Sequence, residues 1–182
     1  MAKQNNTNSQ LDLIDKLLSD KYKDISGYLT EIDRANDVNM NIKIADHRIN
    51  HLLYKIESKG KEDLFPYFND IKGLKKFCDY ILFAEIENFL YLLLIELKKG
   101  TSSAAKQLKA SNCFAEFILN SAKRIGIDIT ENTKILKIRI SEDKIRKSNK
   151  GKTKPLDLSK DENDIINYNR IDFRIREVIS ID

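Results

Sequence analysis

The sequence predicts a mixed α/β fold, a sheet with helices on its faces, and three observations lead there. Two strongly apolar runs, 77–84 and 89–97, stand either side of the polar stretch Glu85 to Asn88, a pattern that reads as a hairpin. The second run is apolar at both parities, with Leu90, Leu92 and Leu94 on one face and Phe89, Tyr91, Leu93, Ile95 and Leu97 on the other. A strand apolar on both faces belongs at the centre of a sheet that is covered on both sides. Between this strand and a later alternating run at 134–140 lies a stretch with helical spacing, so strands and helices alternate along the chain.

Taken in order, residues 1–9 are polar and Asn-rich and read as a disordered N-terminus. From Leu11 to about Arg34 the apolar positions Leu11, Ile14, Leu17, Leu18, Tyr22, Ile25, Leu29 and Ile32 advance in steps of three and four, which predicts an amphipathic helix bent or split at Gly27. This gives an N-terminal helical segment over 10–39, closed by a break at 36–39. Residues 40–58 are ambiguous: Met40, Ile42 and Ile44 alternate like a strand, while Leu52, Leu53 and Ile56 fit a helix face or a second strand. A polar loop at 59–63 and an irregular stretch at 65–73 with Pro66 lead into the hairpin. Gly100 ends its second strand, and Thr101, Ser102 and Ser103 are good N-cap residues. The helix they open runs from Ala104 to about Ile125, with Ala104, Leu108, Ala115, Leu119 and Ala122 along one stripe and Gly126 just past its end. After the strand at 134–140 comes a long polar loop over 142–164. The alternation of Ile171, Phe173 and Ile175 against Arg170, Asp172, Arg174 and Arg176 then predicts a final strand near a sheet edge.

Composition narrows the class. The 182 residues form one domain, or one domain with an N-terminal appendage, so the reading is an α/β core over 40–182. Apolar residues make up 41% and charged residues 33%, enough for a core and high enough to point to solvated faces or a polyanionic partner. The net charge of +4 is too small to identify a nucleic-acid binder by itself. Two cysteines, Cys78 and Cys113, are too few for a disulfide scaffold, and their apolar settings predict buried free thiols in a reducing compartment. The N-terminus has no apolar signal region, and the most apolar stretch, 81–97, carries Glu85, Glu87, Asn88 and Glu96. The expectation is a soluble, cytoplasmic protein with no membrane span.

The chemistry sits where the central strand changes character. Glu96 and Lys98 are two apart on a strand and share a face. That face carries Leu90, Leu92 and Leu94 up to that point, so a core strand delivers a carboxylate and an ammonium to the rim of the sheet. If the hairpin turns through Glu87-Asn88, Ile86 faces Phe89, Phe83 faces Leu92, Ile81 faces Leu94, and Asp79 faces Glu96. Cross-strand neighbours lie roughly 5 Å apart at Cβ. Two carboxylates so placed repel each other unless a cation sits between them, and Mg²⁺ takes one or two carboxylates together with water and phosphate oxygens. Lys98 is placed to orient an attacking water or neutralise charge on a phosphate. A turn shifted by one residue would put the two acids on opposite faces.

Asp79 followed by Glu96-Leu97-Lys98 at the end of an apolar strand resembles the PD-(D/E)xK nuclease superfamily. The resemblance covers roughly 45–140 and implies a restriction-endonuclease-like fold, a mixed central sheet flanked by helices. It implies that Asp79 and Glu96 bind Mg²⁺ or Mn²⁺, with the Leu97 carbonyl as a further ligand, and that Lys98 assists attack by water on a phosphodiester; the reading adopted is a nuclease acting on DNA in preference to RNA. The family's proline before the first acid is Cys78 here. An upstream acid found in many members corresponds to Glu57 or Glu62, between which the sequence does not choose. Recombination-nuclease relatives carry Gln and Tyr four apart on the next helix; Gln107 fits the first position as an active-site helper, and Ser111 stands at the second.

Lys144, Arg146, Lys147, Lys150, Lys152 and Lys154 fall in one loop with no acid among them. Such a run neutralises phosphates without reading sequence, and it can equally be a solvated loop. Lys137, Arg139, Arg174 and Arg176 either extend that surface or are solvated edge residues. His47 and His51 stand four apart with no third ligand following, so no zinc site is read. The expected partner is nucleic acid, with a homodimer or a targeting protein as further possibilities. The alternative reading is a catalytically inactive nuclease-like subunit that binds nucleic acid or a protein within a larger assembly.

Overall fold

The computed structural model describes residues 9–33, 38–46, 48–56, 69, 71, 74–99, 103–141, 158–169 and 172–181. In chain order the elements are α1 (Gln10–Leu17), a 3-10 turn (Asp20–Tyr22), β1 (Tyr28–Asp33), β2 (Val38–Ile44), β3 (His51–Lys55), β4 (Tyr80–Ile86), β5 (Phe89–Lys98), α2 (Ala105–Arg124), β6 (Thr133–Ser141), β7 (Ile165–Tyr168), β8 (Asp172–Phe173) and α3 (Ile175–Ile179). They form a five-stranded sheet, β3-β4-β5-β6-β7, and a three-stranded sheet, β1-β2-β8. In the larger sheet β3, β4 and β5 are antiparallel neighbours, whereas β5, β6 and β7 run parallel. The class is therefore α/β with mixed sheets, as the alternation of strands and helices predicts.

β5 is the middle strand of the five, and Leu90 to Leu97 are all buried. Its two faces enter different cores. Tyr91, Leu93, Ile95 and Leu97 meet the three-stranded sheet through Leu29, Met40, Ile42 and Phe173, together with Ile175 and Val178 of α3. Leu90, Leu92 and Leu94 meet α1 and α2 through Leu11, Ile14, Leu108, Ala115 and Ile118. α1 and α2 thus lie on one side of the central sheet, and the smaller sheet with α3 lies on the other.

Local signals explain most boundaries. Ser9 caps α1, its hydroxyl accepting the Leu11 amide at 3.2 Å. α2 buries Leu108, Ser111, Ala115, Ile118 and Ala122, one stripe at steps of three and four. It carries Lys123 and Arg124 in its last turn, and the chain leaves it through Gly126 at φ +80°. The hairpin turns at Glu87-Asn88, with Glu87 at φ 56°. Its register pairs Ile86 with Phe89, Phe83 with Leu92 and Ile81 with Leu94, as the polar break predicts.

Several expectations are corrected. The helix expected from Leu11 to about Arg34 ends at Leu17, and the second half of that stretch becomes the 3-10 turn and β1. Ser19 caps the turn, Gly27 at φ +72° redirects the chain, and Leu29 alone is buried among Tyr28, Leu29, Thr30 and Ile32. The three-and-four spacing beyond Leu18 therefore marks no helix face. The ambiguous segment resolves into β2, whose residues alternate buried and exposed throughout, and β3. The final strand expected over 169–181 is a two-residue strand followed by α3. Phe173, Ile175 and Val178 are all buried, and the backbone turns helical after the short parallel pairing of β8 with β2. β7 occupies 165–168, between the expected polar loop and the expected final strand, where the sequence predicts no element. Cys113 is exposed rather than buried, because it lies on the turn of α2 opposite Ser111 and Ala115; Cys78 is buried, and both thiols are free. Glu57, Glu62, His47 and the basic run 144–154 lie outside the described residues. Among the described residues no helix is long and apolar enough to cross a membrane.

The two-sided burial of β5 yields a stability prediction. Leu93→Ala opens a cavity in the core between the two sheets and should cost about 2–5 kcal/mol, read as a lower urea midpoint. Phe117→Ala, on the exposed face of α2, should stay within about 0.5 kcal/mol of the parent.

Candidate functional site

β5 carries its leucine face onto α2 as far as Leu94, and the next positions on that face are Glu96 and Lys98. Asp79 immediately precedes β4, and continuation of the hairpin register beyond Tyr80–Ile95 sets it opposite Glu96. β4 starts where β5 ends, so both acids reach the same end of the sheet and the same face. Asp79 is 6% exposed and Glu96 is 1% exposed. Burying two carboxylates is costly unless each is hydrogen-bonded or paired, and both have such contacts. Asp79 Oδ2 accepts the Leu97 amide at 2.7 Å, a hydrogen bond that locks the acid against the strand bearing the other acid. Glu96 Oε1 accepts Gln107 Nε2 at 2.6 Å and forms an ion pair with Lys98 Nζ.

α2 is held to this end of the sheet by a buried hydroxyl. Ser111 Oγ accepts the Cys78 amide at 2.7 Å and donates to the Gln107 carbonyl at 2.8 Å. One side chain thus ties the residue before Asp79 to the helical turn that presents Gln107. The Cys78 thiol is pushed up to about 12, first by burial and further by the negative charge of Glu96 and Asp79, against an opposing hydrogen bond to Ser111. The thiol is fully buried and lies in the field of the two acids.

The site extends along β6 and β7. Glu96 is in register with Arg139, and Arg139 with Asn167, so in these parallel strands the three side chains share a face. Arg139 Nη1 donates to Asn167 Oδ1 at 3.1 Å. One step further, Lys98 is in register with Ser141, whose hydroxyl donates to Asn169 Oδ1 at 2.6 Å. Lys137 turns to a loop, donating to the Asn163 carbonyl at 3.0 Å and pairing with Asp164 at 3.5 Å.

The structure therefore brings together Asp79, Glu96, Leu97, Lys98 and Gln107. Arg139 lies on an interior strand, with β5 on one side and β7 on the other. Arg174 instead pairs with Asp172 at 3.1 Å. His51 sits on β3 with its Nδ1 2.8 Å from the Ile49 carbonyl. Ser111, Ser141 and Asn167 are the residues that sequence reasoning missed as site components. Ser111 stands out in the sequence only as a departure from a tyrosine pattern, and Asn167 sits in a strand of four residues with no periodic signal of its own.

Two buried carboxylates at one end of a sheet are hard oxygen donors suited to Mg²⁺ or Mn²⁺. Among the described residues no group of three or more His, Cys, Asp and Glu gathers that could hold a metal ion, so Asp79 and Glu96 would rely on water and phosphate oxygens to complete a coordination shell. No family model matches the chain, and no curated protein or solved structure matches it.

Two measurements probe this geometry. In native protein at mildly alkaline pH a disulfide reagent should titrate Cys113 alone, with Cys78 reacting only on denaturation. Ser111→Ala strips the buried Cys78 amide of its acceptor and should lower stability by about 1–3 kcal/mol, measured by urea unfolding.

Proposed function

We propose that this protein is a metal-dependent phosphodiesterase of the PD-(D/E)xK type, acting on nucleic acid and on DNA in preference to RNA. The observation that carries the reading is the convergence of Asp79 and Glu96 on one face of the hairpin, with Lys98 paired to Glu96. The strand, acid-bearing hairpin, helix and strand also follow one another as β3, β4, β5, α2 and β6, the order that the resemblance implies. The restriction-endonuclease-like fold and a cytoplasmic setting belong to the same proposal.

In this reading Asp79 and Glu96 would hold Mg²⁺ or Mn²⁺, with the Leu97 carbonyl as a further candidate ligand. The ion would supply Lewis-acid stabilisation of phosphoryl oxygens and activation of water. The chain's own residues set the geometry. The Leu97 amide fixes the rotamer of Asp79, and Gln107 fixes the plane of the Glu96 carboxylate. Lys98 places an ammonium beside Glu96, where it can orient the attacking water and neutralise charge that grows on the phosphoryl oxygens. Hydrolysis forms a bond from the water oxygen to phosphorus and breaks a bridging P–O bond; the attacking water gives up a proton to solvent, and the departing oxygen takes one from solvent.

A second reading, a catalytically inactive subunit that binds nucleic acid or a protein partner, is favoured by one observation. Glu96 Oε1 already receives both Gln107 and Lys98, so a carboxylate that a metal would need is engaged within the chain.

The deciding experiment is calorimetric titration of Mn²⁺ into wild-type protein and Asp79→Ala, beside cleavage of plasmid and single-stranded DNA. Binding and cleavage in the wild type, both lost in Asp79→Ala, support the enzyme. Lys98→Ala should retain Mn²⁺ binding and lower the cleavage rate by about 10²–10³-fold. A wild type that neither binds Mn²⁺ nor cleaves overturns the enzymatic reading in favour of the inactive subunit.

A further inference from the structure

The polar row continues past the two acids. Across the end of the sheet it runs from Asp79, just before β4, through Glu96 on β5 and Arg139 on β6 to Asn167 on β7, on the face shared with α2. Adjacent strands lie about 4.8 Å apart, so Arg139 stands one strand from Glu96 and two from Asp79, within reach of anything bound between the acids. β5, β6 and β7 are parallel and all end here, which is where open α/β sheets place their ligands.

We propose that Arg139, braced by Asn167, binds the phosphate backbone of nucleic acid at this site, taking a non-bridging oxygen of the phosphodiester that lies against Asp79 and Glu96. The proposal rests on the nuclease reading above and adds the residue that seats the substrate. Arginine suits the task because its planar fork matches two oxygens of a phosphate, and it holds its charge at every relevant pH. The brace comes from the far side: Asn167 is on β7, away from Glu96, and its amide oxygen takes an Nη1 hydrogen at 3.1 Å. That contact orders the guanidinium before a ligand arrives, reducing the entropy lost on binding. The neighbouring cation of the same strand face has another task, since Lys137 fastens the 161–164 turn through Asn163 and Asp164. Lys98 and Arg139 therefore flank Glu96 with different duties, the first at the reacting bond and the second on the backbone.

The test compares wild type, Arg139→Gln, Arg139→Lys and Asn167→Ala. Mn²⁺ affinity is read by calorimetry. Binding of labelled single- and double-stranded oligodeoxynucleotides, and of an oligoribonucleotide, is read by fluorescence anisotropy in Ca²⁺ buffer over a range of salt. Arg139→Gln should weaken DNA binding by about tenfold and reduce the salt slope by about one, with Mn²⁺ affinity unchanged. Arg139→Lys should recover the slope but only part of the affinity, because it keeps the charge and loses the fork. Asn167→Ala should fall between wild type and Arg139→Gln. Unchanged DNA binding and slope in Arg139→Gln, with a wild type that binds both Mn²⁺ and DNA, overturns this assignment and leaves the nuclease reading standing. Loss of Mn²⁺ binding in Arg139→Gln also overturns it, because Arg139 would then be acting through the acids. A wild type that binds no Mn²⁺ overturns the nuclease reading, and this assignment with it. Equal weakening for DNA and RNA is expected, since both present the same phosphate.

Discussion

The pairing of β4 with β5 is the constraint on which the rest of the molecule depends. β5 is buried from Leu90 to Leu97, so it needs a layer on each face, and the register with β4 decides which residues meet which layer. With Ile81 beside Leu94, Phe83 and Leu92 fall to the helices, while Leu82 and Leu93 fall to the second sheet. A slip of one residue would turn every side chain of one strand to the wrong layer. The same register brings Asp79 and Glu96 to one face. Core packing and site geometry are thus one consequence of a single alignment, and the polar site stands on the leucines beneath it.

That placement has an electrostatic cost, and the structure offsets it locally. Glu96 and Asp79 are removed from water, where an isolated carboxylate is strongly disfavoured. A backbone amide from Leu97, a side-chain amide from Gln107 and the Lys98 ammonium compensate them. Cys78, immediately before Asp79, is a thiol that resists ionisation, first because it is buried and further because of the negative charge of the two acids. Ser111 then fastens α2 to the backbone beside Asp79, so the helix that covers the leucine face also aligns the amide that orients Glu96. The Arg139–Asn167 contact extends the same logic to β6 and β7.

The central part of this architecture was legible in the chain because its signals are local and strong. The polar break at Glu85 to Asn88 between two apolar runs specifies a turn, and Gly126 after a helical stripe specifies a stop. The change from leucine to Glu96 and Lys98 on one strand parity is visible without coordinates. The outer parts were not legible. Leu29 and Ile32 continue a helix-like spacing, yet Gly27 and the pairing of β1 with β2 place them in a strand. Ile171, Phe173 and Ile175 alternate, yet Ile175 and Val178 bury themselves from a helix. In both places the hydrophobic pattern fits two periods, and the partner surface chooses between them.

The sequence by itself determined the mixed α/β class, the hairpin, the helix after it, and the strand face that Glu96 and Lys98 share, since each follows from contiguous residues and short-range geometry. The register that sets Asp79 beside Glu96 followed only if the turn fell at Glu87-Asn88, where the structure places it. Tertiary structure alone decided that Gln107 reaches Glu96, that Ser111 ties the helix to the segment before Asp79, and that Arg139 stands between Glu96 and Asn167. These contacts join residues far apart in the chain through parallel strands and a crossover helix. Parallel pairing leaves no turn whose length or composition records the register, so only the packed sheet sets it.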